Sequence, residues 1–146
     1  MSRFTDIQTA LADALRAHPE FPAKLTILAR REKEVASDVE AALGKQGICL
    51  YVMPPMPKGA VRTDCAIVFF DSCELRLRVI EQPQLNLTEL DAWDILEAII
   101  LALQGTNPGG IFAAPLNLMP RPIESVEDKT TRVFDVLFDG AFQLNG

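Results

Sequence analysis

Cys73-Glu74-Leu75-Arg76-Leu77-Arg78-Val79-Ile80-Glu81 is the stretch on which the fold turns. Cys73, Leu75, Leu77 and Val79 fall on one side of an extended backbone, while Glu74, Arg76 and Arg78 fall on the other. That period of two marks a strand with one face in a core and one in water. Residues 65–70 form a second apolar run just upstream, and Asp71-Ser72 suits a turn. The pattern is compatible with a hairpin and with one long bent strand.

Before this strand, Ile48, Cys49, Leu50, Tyr51 and Val52 make a compact β-favouring run of the length of a central strand. Met53-Pro54-Pro55-Met56-Pro57-Lys58-Gly59 follows. Three prolines in seven residues predict a stiff loop or projecting arm that joins neither a ladder nor a helix. Residues 32–45 are amphipathic, with Val35, Val39, Ala42 and Leu43 as the buried stripe and Gly44 or Gly47 as the stop. Leu25 to Leu28 suits an edge strand. Residues 4–17 form a first helix burying Phe4, Ile7, Leu11, Ala14 and Leu15, and His18-Pro19 and Pro22 end it.

After the strand, Pro83 interrupts the chain and Asn86-Leu87-Thr88-Glu89 offers helix caps. The helix near 90–104 is given the stripe Leu90, Trp93, Leu96, Ile100 and Leu103. Its last turns are apolar around most of the circumference, so they should be enclosed on more than one side. A Gly/Pro loop spans residues 105–110. Pro120 and Pro122 confine the run 116–123 to an edge or bulge, and Phe134, Val136 and Phe138 mark a closing strand. The expected fold is one α+β domain over residues 1–146, with 1–22 as amphipathic helix and linker and 23–146 as core. Its sheet is mixed or antiparallel, with about four to five strands packed by two to three helices.

Composition narrows the function. The 146 residues are 49% hydrophobic and 23% charged, which excludes intrinsic disorder, and the apolar run Ala98 to Leu103 is too short to span a bilayer. A mean hydropathy of +0.14 is high for a solitary molecule and hints at a covering subunit. Residues 82–146 carry the whole net charge of −6, with nine acidic side chains against three basic ones. The opening Met-Ser-Arg-Phe-Thr-Asp has no apolar leader, so the chain is expected to stay inside the cell that makes it.

Reactive chemistry is sparse. The single histidine, His18, sits between an alanine and a proline with no nearby Ser, Cys or Asp partner. Cys49, Cys65 and Cys73 lie in strand-like runs and read as buried thiols. The carboxylate pairs Asp91/Asp94, Asp94/Glu97 and Glu127/Asp128 read as solvated surface. Gly105 to Gly110 follows a helix, whereas a phosphate cradle follows a strand and opens a helix. Arg30-Arg31-Glu32-Lys33 is the one basic cluster in a chain of pI about 4.8, a poor match to nucleic-acid binding. No catalytic residue, cofactor or metal is expected. Small domains of this kind work through their surfaces.

The succession of amphipathic helix, Gly-Ile-Cys-Leu-Tyr-Val strand, long variable loop, alternating strand ending in Glu81-x-Pro-x-x-Asn86, helix, Gly/Pro loop and final Phe134–Phe138 strand resembles the tail-terminator, or tail-completion, proteins of tailed bacteriophages and prophages. The resemblance covers most of residues 30–144. It implies a virion structural subunit, made in the host cytoplasm, that forms a homo-oligomeric ring, a hexamer, on the end of the tail tube. The ring would join the tube to the head connector and let DNA pass without specific binding. No membrane is involved. Met53, Met56 and Val61 of the arm, Ile99, Ile100 and Leu103 of the apolar helix end, and Ile111 and Phe112 are the candidate ring contacts. The alternative is a small cytoplasmic ligand-binding or enzymatic domain with Trp93, Arg76 and Arg78 turned toward an anionic ligand.

Overall fold

A computed structural model describes residues 2–29, 32–63, 67–127 and 130–144; the side chains of 32–34, 60–63 and 127 are outside that description. The elements are α1 (Arg3–Ala17), β1 (Ile27–Leu28), α2 (Glu32–Gln46), β2 (Ile48–Val52), β3 (Met56–Thr63), β4 (Ile67–Glu81), α3 (Ala92–Leu103), β5 (Asn117–Glu127) and β6 (Arg132–Gln143). The fold is α+β, with a mixed sheet of six strands in the order β1-β2-β4-β6-β5 and β3 paired to β4. Only β1 and β2 run parallel; the other pairs are antiparallel.

The alternating stretch is the spine. β4 is one strand of fifteen residues with a register shift between Phe70 and Cys73, so Asp71-Ser72 is a bulge inside a continuous strand. One flank of β4 pairs with β6 from Phe69 to Glu81. The other flank is shared: β2 takes Leu77 to Glu81, and β3 takes Ile67 to Glu74.

Here the proline-rich reading is corrected. Met56, Pro57 and Gly59 pair with Glu74, Cys73 and Ser72, which raises the strand count above the four to five expected. The ladder tolerates Pro57 because β3 is an edge strand with register shifts around Gly59, and an edge residue has no second neighbour to donate to.

Alternation sets two faces. The inner face carries Leu75, Leu77 and Val79 of β4, Ile48, Leu50 and Val52 of β2, and Phe134, Val136, Phe138 and Phe142 of β6, all at most 2% exposed. It is covered by α1 through Ile7, Leu11 and Leu15 and by α3 through Ile95, Leu96, Ile99 and Leu103. The first helix is thus part of the core. Gln8, buried among these residues, donates its Nε2 hydrogen to the Val52 carbonyl at 2.9 Å, which ties α1 to the end of β2. Phe142 collects Phe4, Phe70 and Phe112 at centroid separations of 5.3–6.3 Å, two of them edge-on.

On the outer face α2 packs only over the β2 end, where Ala42 and Leu43 cover Cys49 and Ile80. Helices on both sides explain why every residue of β2 is buried.

The phase of α3 also departs from the sequence reading. Asp91 caps the helix in a reciprocal box with Asp94, and the buried face is Ala92, Ile95, Leu96, Ile99, Ala102 and Leu103, so Trp93 stays half-exposed. Asn86, expected as a cap, instead pins the preceding loop. Its Nδ2 donates to Glu81 Oε2 at 2.7 Å and to the Leu90 carbonyl at 2.8 Å, and its Oδ1 accepts from the Thr88 N–H at 2.9 Å. Glu81 is 2% exposed and lies opposite Ile48 on one side and Arg132 on the other, so Glu81 and Asn86 staple the end of β4 to the start of α3.

Gly47 allows this loop to close. At φ +77° it sits where a Cβ would lie 2.3–2.4 Å from the Leu85 and Asn86 backbone. Gly47→Ala should therefore cost about 2–4 kcal/mol in denaturant unfolding, through steric overlap added to the left-handed conformation. Gly44→Ala, in α2 with nothing within 4 Å of the new methyl, should gain about 0.5–1 kcal/mol.

Candidate assembly surface

The eight residues proposed as ring contacts separate into groups. Met56, at the start of β3, is 60% exposed. Met53 is half-buried and lines a groove of about 740 Å³ between α2 and the outer sheet face, with Val35, Val39, Tyr51 and Ile80. Ile100 and Ile111 are half-buried and packed against the core. The Val61 backbone pairs with Phe69, and its side chain lies outside the described residues, as does Cys65.

Ile99, Leu103 and Phe112 are corrected: they are 0%, 0% and 4% exposed within this single chain. The enclosure expected for the end of α3 comes from the sheet on one side and α1 on another, and Leu101 is left facing outward. Phe112 sits against Gly140, where a Cβ would approach its ring to 2.9 Å, and bridges to Phe142. These three side chains are used up by the fold and offer no surface.

Other apolar side chains take their place. Leu87 is 91% exposed, and Leu85, Trp93, Leu101, Ile123 and Val126 are also exposed. The Trp93 ring lies tilted at 51° against Phe134, with centroids 4.9 Å apart, and remains half-exposed. Sequence reasoning passed over Leu87 as part of a polar cap and assigned Trp93 to the core. The total accessible surface of 8277 Å² exceeds the ~7,400 Å² that scaling gives a folded monomer of this mass.

The open part of the outer face carries a row of charges. Arg76 Nη1 lies 2.7 Å from Asp135 Oδ2 and 3.0 Å from Glu124 Oε2, and its Nη2 lies 3.3 Å from Glu74 Oε2. Arg78 donates from Nε and Nη2 to the two oxygens of the same Asp135, at 2.8 and 3.0 Å. Asp135 is 4% exposed, so its charge is held by two guanidinium groups where water does not reach. Burial works to lower the Arg76 pKa, but the Asp135 hydrogen bond and charge, with Glu74 and Glu124, outweigh it and raise the value. Lys58 extends the row, with Nζ 3.2 Å from Glu74 Oε1.

This geometry bears on the alternative of an anionic ligand. Arg76 and Arg78 are committed to carboxylates on the outer face, whereas Trp93 stands over Phe134 on the inner face, so the three do not converge. A cleft of about 570 Å³ lies elsewhere, lined by Pro22, Leu25, Ile48, Leu87, Leu90 and Ile95 with Lys24 and Gln46 at its rim. The Gln46 amide is already bonded to Thr26 and the Lys24 carbonyl. His18 borders a small cleft with Glu20, Asp94 and Glu97, and its Nδ1 accepts the Glu20 N–H at 3.3 Å. Among the described residues no three His, Cys, Asp or Glu side chains converge as a metal site. Cys49 and Cys73 are buried free thiols. Burial pushes both up to about 12, helped at Cys73 by the charges of Asp139 and Glu74.

No protein-family model and no curated protein matches the chain. Among solved structures, the fold is similar to that of a chain in the virion of a native gene transfer agent (GTA) particle. The TM-score is 0.64 with 17% identity, and the match covers 94% of each chain. At that identity the likeness establishes a shared fold.

Two measurements test the chemistry of these residues. Asp135→Ala should lower unfolding stability by about 2–3 kcal/mol, because it strips two part-buried arginines of their shared partner. Glu124→Ala, whose side chain is half-exposed, should change it by less than about 1 kcal/mol. A disulfide-exchange reagent at pH 8 should leave Cys49 and Cys73 unlabelled in the folded chain, since a pKa of about 12 leaves roughly one thiolate in ten thousand, and should label both in denaturant.

Proposed function

We propose that this chain is a structural subunit of a phage-like virion that completes the tail, closing as a homo-oligomeric ring, a hexamer, on the end of the tail tube and joining it to the head connector. The observation that carries the reading is the near end-to-end correspondence of its fold with a chain of a virion particle. The order of elements, including Glu81-x-Pro-x-x-Asn86, agrees with the tail-terminator resemblance. Apolar side chains left open by a complete core favour a molecule that works by contact. The role is non-enzymatic, located in the virion tail after assembly in the host cytoplasm.

In this reading Met56 remains a ring contact, with Met53, Val61, Ile100 and Ile111 as further candidates, and Leu101 replaces Ile99 and Leu103. DNA passes through the ring without specific binding. A chain with net charge −6 suits that task, because a wall that repels phosphate does not trap a sliding duplex. The partners are further copies, the tail-tube protein and the head connector.

The test is direct. Size exclusion with light scattering should reveal a closed oligomer near six times the 16.1 kDa subunit, and electron microscopy of tail tubes mixed with the chain should reveal one capped end. Met56→Glu should keep the wild-type melting temperature and lose assembly. Tubes left bare by a chain that stays monomeric would refute the assignment.

A further inference from the structure

The charged row on the outer face has a direction. It begins on β3 with Lys58, passes to Glu74 and Arg76 on β4, and reaches Asp135 on β6 and Glu124 on β5. Arg76 joins carboxylates on β4, β5 and β6, and the two ends of the row carry opposite signs. Lys58 is 49% exposed at one sheet edge and Glu124 is 53% exposed at the other. Each terminal group keeps bonding capacity: an ammonium has three donors, and a carboxylate has two oxygens. The backbone is unsatisfied at the same two places. Among the described residues, β3 pairs only with β4 and β5 only with β6, so each has an outer edge without a ladder.

Resting on the ring reading above, we propose that β3 of one copy pairs with β5 of the next, so that Lys58 of one subunit meets Glu124 of its neighbour and the charged row continues through the assembly. The sign of the edges selects this occupant. Two β5 edges laid together would bring Glu124 of both copies together, and two β3 edges would bring Lys58 of both together. Only the unlike pairing brings opposite charges together, and like charges across an interface cost several kcal/mol.

The β5 segment from Ile123 to Glu127 is paired with β6 in unbroken register and contains no proline, so its backbone is regular where the contact forms. Met56 on one edge and Ile123 and Val126 on the other supply exposed apolar surface beside the charges. Because the two edges differ, the contact is head-to-tail, the kind of interface that generates rings when the rotation closes. Main-chain hydrogen bonds would give the contact its strength, and the charges would set its register and polarity.

Charge reversal tests the pairing in the full chain. Lys58→Glu and Glu124→Lys are each expected to weaken self-association at least about tenfold in sedimentation equilibrium, with melting temperatures close to wild type. An equimolar mixture of the two variants should recover assembly, because every contact can then join unlike charges, and so should the double variant. Rings that persist in Lys58→Glu, or single variants that fail to complement one another, overturn this contact while leaving the ring reading intact. A wild-type chain that stays monomeric at high concentration and on tube ends overturns both.

Discussion

The register of β4 against β6 is the constraint from which the rest follows. Along these strands the inner face holds Leu75, Leu77 and Val79 beside Phe134, Val136 and Phe138, while the outer face holds Arg76 and Arg78 beside Asp135. A slip of one residue would turn Asp135 toward α3 and bring the phenylalanines into water. Hydrophobic burial and ion pairing therefore demand the same alignment. Arg78 lies directly opposite Asp135, so the bidentate contact forms only in this register. Once it is set, α1 and α3 have one face to cover, α2 has the β2 corner of the other, and the remaining outer face is left to charge.

That spine was legible in the sequence because period two survives in seven consecutive residues, Cys73 to Val79, and the helices were legible from their stripes. The phase of α3 was not. Residues 98–103 are apolar in every direction, so periodicity carries no angle there, and the helix is fixed instead by the Asp91–Asp94 box and by α1 beside it. β3 was hidden by a rule that holds for central strands: proline removes a ladder donor, but on an edge no neighbour asks for it. Ile99, Leu103 and Phe112 were misassigned for a related reason. Apolarity says that a side chain is covered and is silent on whether its own fold or another copy covers it. The charged row was invisible as a unit, since Arg78 and Asp135 are 57 residues apart in the chain.

Glu81 and Asn86 give the motif behind the family resemblance a structural meaning. A carboxylate this deeply buried is costly unless it is bonded, and here it accepts from the Asn86 amide while Arg132 lies 3.9 Å from its other oxygen. The spacing of five residues lets the chain leave β4, turn over Gly47 and return to the same carboxylate before α3 begins. The loop so formed displays Leu85 and Leu87 on a backbone held by side-chain bonds, which would lower the entropy lost if a partner covered them. The motif thus holds a stretch of surface in place.

Edge strands that pair between copies carry a hazard, because an unprotected edge pairs in any register and without end. Two features of this fold limit that freedom. Pro57 and the register shifts around Gly59 interrupt β3, while the break between Leu118 and Ile123, spanning Pro120 and Pro122, interrupts β5, so each edge offers only a short regular segment. On the exposed side of α3, Asp94 and Glu97 flank Leu101 with Glu20 nearby, so placing the same side of two copies together would bring like charges into contact. In the proposed ring, strand pairing would thereby be confined to two short edges of opposite sign. If the proposed ring forms, the difference between the two edges would favour a head-to-tail contact that can close over edge pairing that runs on without end.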